Sequence, residues 1–89
     1  MDKKTKQRAM RRLKIIEGQV RGLQKMIEED TYCVDVITQS LAVKQALSGV
    51  EDLVLEGHLA THVAHQMRSG KAKLATSEMV KLYKLAKKK

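Results

Sequence analysis

The chain has no proline, no phenylalanine and no tryptophan, a single cysteine, Cys33, and only Tyr32 and Tyr83 as aromatics. Without proline, no position is barred from a helix interior. Without Phe or Trp, the core must be assembled from Val, Leu, Ile, Met and Ala, a set that suits helices packed on helices. One cysteine cannot close an internal disulfide, which points to a reducing compartment, the cytoplasm. No apolar run approaches the roughly 20 residues of a membrane span. The start Met1-Asp2-Lys3-Lys4 lacks the apolar stretch of a signal peptide. Acidic residues are outnumbered, ten Asp and Glu against eighteen Lys and Arg, for a net charge of +8. Such an excess suits a polyanionic partner, either nucleic acid or an anionic surface.

What is present reads as one domain over residues 1–89. A chain of 89 residues buries only about 60–65 % of its unfolded surface, so a small helical protein with apolar stripes is expected to complete its core by oligomerising. From about residue 4 to 29 the apolar positions Leu13, Ile16, Val20, Leu23 and Ile27 recur at steps of three and four, the seam of an amphipathic helix with a partner. Asp30-Thr31 would supply the turn and the next N-cap. A long second helix, about 32–67, is expected to bury Val34, Ile37, Leu41, Ala46 or Leu47, Val50 and Val54. Gly70 suits a left-handed cap. Thr76 or Ser77 would open a third helix over about 76–86, carrying Met79, Val80, Leu82, Tyr83 and Ala86, before the basic end Lys87-Lys88-Lys89. The expected fold is all-α, a three-helix protomer whose first two helices form an antiparallel hairpin.

The three histidines, His58, His62 and His65, fall within eight residues. His58 and His62 are i and i+4 on a helix, so both rings share a face at a spacing that can chelate a metal. His65, at i+7 from His58, continues the stripe. Cys33 is the remaining soft donor. The 25 residues from Cys33 to His58 would span about 37 Å along one helix, whereas a metal holds thiolate and imidazole at about 2.0–2.3 Å. One unbroken helix cannot bring them together. Two antiparallel copies can, with the cysteine of one meeting the histidines of the other. The competing reading is that Cys33 is a small packed hydrophobe and the histidines are ordinary structure.

The segments Arg12-Leu13, Glu17-Gly18-Gln19-Val20-Arg21-Gly22, Glu28-Glu29-Asp30-Thr31-Tyr32-Cys33-Val34-Asp35-Val36-Ile37-Thr38-Gln39 and Gly57-His58-Leu59 resemble the copper-sensitive operon repressor family, which also includes nickel/cobalt-sensing and formaldehyde-sensing repressors. The resemblance covers nearly the whole chain. It implies an antiparallel four-helix-bundle dimer, a disc-like tetramer made of two such dimers, and a repressor that binds operator DNA without a helix-turn-helix. In that picture metal binding releases the DNA. The resemblance places Cys33 of one protomer with His58 and His62 of its partner. Copper members of the family usually carry a second cysteine where this chain has His62, so the set here is Cys-His-His.

That set suits three-coordinate Cu(I), and would hold Ni(II) or Co(II) if further ligands were recruited. Tyr32 and Glu78 match the outer-shell Tyr and Glu of copper sensors, which hydrogen-bond around a ligating histidine. His65 stands beside the ligands in the same shell. The stretch Gly57 to Gln66 is also similar to the nickel/cobalt sensors, but those add an N-terminal histidine that Met1 to Gln7 lacks. Copper is therefore the leading expectation, and nickel or cobalt the second. Formaldehyde sensing resembles chemistry that involves an N-terminal proline, which is absent, and persulfide sensing uses two cysteines.

Arg8, Arg12, Arg21 and Lys44 are the candidate DNA contacts, with Arg12 and Arg21 inside the family-like motifs and the other two chosen by charge and face. Two other classes compete. A metal-independent architectural protein would use the same charge without the cysteine. An enzyme would need an oxyanion-stabilising loop beside a Cys33 nucleophile, and no such Gly-rich segment occurs, so an enzyme is not expected.

Overall fold

Asp2 opens the first helix, α1 (Lys3–Glu28), in the computed structural model, which describes residues 1–87. Lys88 and Lys89 of the basic end lie outside the described residues. The Asp2 carboxylate accepts from the Thr5 backbone N–H at 2.7 Å and from its hydroxyl at 3.0 Å, filling two of the first turn's needs. Those bonds, the backbone one foremost, hold the Asp2 carboxyl below its ordinary value.

The end of α1 explains the connection that follows. Asp30 takes a left-handed φ of 53°, a conformation a short polar side chain tolerates. Thr31 N–H then donates to the Met26 carbonyl at 2.9 Å and Asp30 N–H to Ile27 at 3.2 Å, a Schellman closure. Thr31 therefore finishes α1 and is not the cap of the next helix. That place falls to Tyr32, whose carbonyl accepts from Asp35 and Val36 at the start of α2 (Cys33–His58).

Helical hydrogen bonding continues past His58 into a π turn, Leu59–Val63, and then a short α3, Ala64–Arg68. The sequence suggests no such change of pitch. Thr61 donates its hydroxyl to the Gly57 carbonyl at 2.7 Å, competing for the acceptor an α-ladder would give its own N–H. Gly70, at φ 81°, ends this stretch as expected, with Lys71 N–H bonded back to the Gln66 carbonyl at 2.6 Å. The last helix, α4 (Ala72–Lys87), begins four residues before Thr76. Ala72, Lys73, Leu74 and Ala75 are strong helix formers that need no hydroxyl cap, so Thr76 and Ser77 lie inside the helix. No strand occurs among the described residues, and no helix there is long and apolar enough to cross a membrane.

The chain divides into two compact units, the first over Met1–Leu55 and the second beginning at Glu56. The first unit is an α1–α2 hairpin whose core is Ala9, Ile16, Val43, Val50 and Leu53, flanked by Leu23, Ala46 and Val54. Arg12 fastens the two helices by donating from Nη1 to the Gly49 carbonyl at 3.3 Å. The buried stripe of α2 differs from the expected one. Val50 lies inside, but Val34, Ile37, Leu41 and Leu47 are exposed, Ile37 at 59 % and Leu41 at 53 %. Helix α2 carries apolar residues on two faces, and the Val36-Val43-Val50 face is the one α1 covers. Likewise Ile16 of α1 is buried while Leu13, Val20 and Ile27 face outward. In the second unit the small Ala75 of α4 is buried, at 2 % exposure.

Candidate metal centre and basic face

His58 is the last residue of α2 and His62 lies in the π turn directly after it. Their ring centroids are 5.2 Å apart with planes tilted by 31°, so the expected sharing of one face is met. Glu78 of α4 approaches His58, its Oε2 lying 3.9 Å from Nε2, with the imidazole 28 % and the carboxylate 42 % exposed. That distance is ion-pair reach and is longer than a hydrogen bond. A carboxylate on that side favours a proton on Nε2. His62 has its own neighbour: Thr61 Oγ1 is 3.3 Å from Nδ1. His65 belongs to α3 and is exposed, and its imidazole has no hydrogen-bond or ion-pair partner among the described residues.

Cys33 is a free, exposed thiol at the first residue of α2, and Tyr32 before it is also exposed. The thiol edges an open apolar groove formed by Ile27, Val36 and Ile37. Among the described residues of one chain, no group of three or more His, Cys, Asp or Glu is gathered closely enough to hold a metal ion. Within the second unit the structure thus brings His62 and Glu78 each beside His58, while Cys33 and Tyr32 belong to the first. Chemically, one thiolate and two imidazoles fit a soft monovalent cation at low coordination number.

The basic candidates fall into two kinds. Arg12 is engaged with Gly49, and Arg21 is paired with Glu17 at 2.8 Å, an exposed i,i+4 contact of about 0.3–0.5 kcal/mol that a phosphate can displace. Arg8 and Lys44 are exposed and have no ion-pair partner among the described residues. An open basic surface on the first half of α1, lined by Lys3, Lys6, Gln7, Met10, Arg11 and Lys14, lies outside the residues expected from the sequence. Its signal was available in the three- and four-residue spacing of those positions. Thr61 also lies outside the expected residues; its only signal in the sequence is a hydroxyl residue directly before His62.

Residues 5–86 match the family described as metal-sensitive transcriptional repressor. Among curated proteins, the chain is 44 % identical over 81 residues to the copper-sensing transcriptional repressor CsoR of Bacillus subtilis, covering 91 % of this chain and 80 % of that one. It is 48 % identical over 60 residues to the copper-sensing transcriptional repressor RicR of Mycobacterium tuberculosis, covering 67 % of this chain and 62 % of that one. Among solved structures, it is similar to the copper-sensing repressor CsoR with Cu(I) from Geobacillus thermodenitrificans, with a TM-score of 0.92 and 39 % identity, covering 99 % of this chain and 92 % of that one.

Proposed function

The chain belongs to the metal-sensitive transcriptional repressor family, and from that membership we propose that it is a Cu(I)-responsive repressor, bound to operator DNA when metal-free and released by the metal. The observation that carries this is the His58–His62 pair, with rings 5.2 Å apart and Glu78 behind His58. Cys33 of one protomer completes the set with His58 and His62 of a second. Helix α2 holds its thiol at the first residue and an imidazole at the last, so the donors meet only when two chains pair. When bound, Cu(I) supplies a link of one sulfur and two nitrogens between the chains.

The exposed apolar residues Leu13, Val20, Ile27, Val34, Ile37 and Leu41 support that pairing as an antiparallel four-helix bundle, a surface too apolar to leave in water. Two dimers would then assemble into a disc-like tetramer in the cytoplasm. Glu78 ties α4 to His58, giving occupancy of the site a lever on the last helix, with Tyr32 and His65 at its margin. DNA is held by Arg8, Arg12, Arg21 and Lys44. Four chains of +8 each give a field that steers a duplex and a binding constant that falls steeply with salt. A coupling of about 1–3 kcal/mol changes DNA affinity roughly 5- to 150-fold, enough to free a promoter.

The test uses a DNA fragment selected from a random pool by the metal-free protein, titrated anaerobically with Cu(I), Ni(II) and Co(II) while anisotropy is followed. Release by Cu(I), absent in Cys33→Ala, is expected, with X-ray absorption reporting one sulfur and two nitrogen neighbours. Release by Ni(II) or Co(II) alone would establish the second reading, to which the likeness of Gly57 to Gln66 to the nickel/cobalt sensors points. DNA binding indifferent to every metal would refute both and leave an architectural protein.

A further inference from the structure

We propose that Thr61 is a positioning residue that fixes the neutral tautomer of His62, so that Nε2 is the nitrogen that ring offers to a metal. The Thr61 hydroxyl lies 2.7 Å from the Gly57 carbonyl. A carbonyl has no proton to give, so the single hydroxyl hydrogen sits on that bond. The same oxygen is 3.3 Å from His62 Nδ1. With its hydrogen committed, it can only accept there, and Nδ1 must carry the ring proton. The lone pair is left on Nε2.

Both residues lie in the π turn Leu59–Val63, so the bond that sets the ring also belongs to the local change of pitch. π turns of this kind are frequent at functional sites. Glu78 lies on the Nε2 side of His58 at 3.9 Å, too long for a hydrogen bond to fix that ring in the same way. No change of charge is involved, only the choice between two neutral forms.

The inference rests on His62 being a ligand, and its test separates the two claims. The full-length metal-free protein, labelled with ¹⁵N-histidine, is examined by long-range ¹H–¹⁵N spectroscopy at pH about 8, above the ordinary imidazole range. Wild type should show a protonated Nδ1 and a bare Nε2 at His62. Thr61→Val, which keeps the branched shape and removes the hydroxyl, should move the proton toward Nε2, and Thr61→Ser should restore the wild-type spectrum. A bare Nδ1 in wild type, or an unchanged spectrum in Thr61→Val, overturns the proposal. In competition with a Cu(I) chelator, Thr61→Val should weaken binding roughly 10- to 100-fold, with Thr61→Ser close to wild type. If Thr61→Val shifts the proton while His62→Ala leaves Cu(I) binding intact, Thr61 sets the tautomer as argued and it is the reading of His62 as a ligand that fails.

Discussion

Chains carrying Cys33→Ala, and chains carrying His58→Ala together with His62→Ala, should each lose tight Cu(I) binding and regain it when unfolded and refolded together. The expectation follows from α2, which begins with Cys33 and ends with His58. Cys33 is exposed, so its truncation should change stability by no more than about 0.5 kcal/mol. In a two-fold dimer each site takes sulfur from one chain and nitrogen from the other. A mixed dimer therefore holds one complete site, formed by the intact cysteine and the intact histidine pair, and one site with no donor at all. Equal amounts mixed at random make about half the dimers mixed, each with one of its two sites whole, so about a quarter of wild-type Cu(I) capacity returns. Capacity is read anaerobically against a coloured Cu(I) chelator, with native mass spectrometry confirming that mixed dimers are present. Mixed dimers without recovered capacity would refute the shared site, because only donors from one chain would then be used. Full capacity in either parent alone would refute it equally.

Four further outcomes test other parts of the structure. Leu53→Ala, in the hairpin core at 5 % exposure, should cost about 2–4 kcal/mol in urea unfolding, whereas Ile37→Ser should keep the helicity and lower the assembly mass seen by sedimentation. The slope of log binding constant against log salt should fall by about 0.9 for each phosphate contact removed; an unchanged slope in Arg8→Ala or Lys44→Ala would take that residue out of the DNA interface. The Asp2 carboxyl is held below its ordinary value of 3.8, first by the Thr5 backbone N–H, so its cap is fully present above that value and is lost as pH falls through the lowered one. The difference in urea midpoint between wild type and Asp2→Ala should accordingly shrink on acidification below about pH 3.8; a constant difference would show that the carboxylate charge is irrelevant to the cap.

The all-helical class, the turn at Gly70 and the pairing of His58 with His62 were legible in the chain because each depends on near neighbours. Absence of proline, phenylalanine and tryptophan, three- and four-residue apolar steps, a glycine free to adopt positive φ, and an i,i+4 histidine pair all act within one or two turns of helix. Which face of α2 is covered was not legible, because that helix is apolar on two sides and periodicity cannot rank them. Only the approach of α1, fastened through Arg12 and Gly49, buries Val43, Val50 and Leu53 and leaves Ile37 and Leu41 outside. The π turn was likewise not legible, and the contact of Glu78 with His58 was expected only through the family resemblance. One is a contest between a hydroxyl and the ladder for a single carbonyl, and the other joins residues 20 positions apart in sequence. Local chemistry determined what the donors are; tertiary packing decided which way they face, because a side chain's surroundings are set by the helix that lands beside it and not by its own repeat.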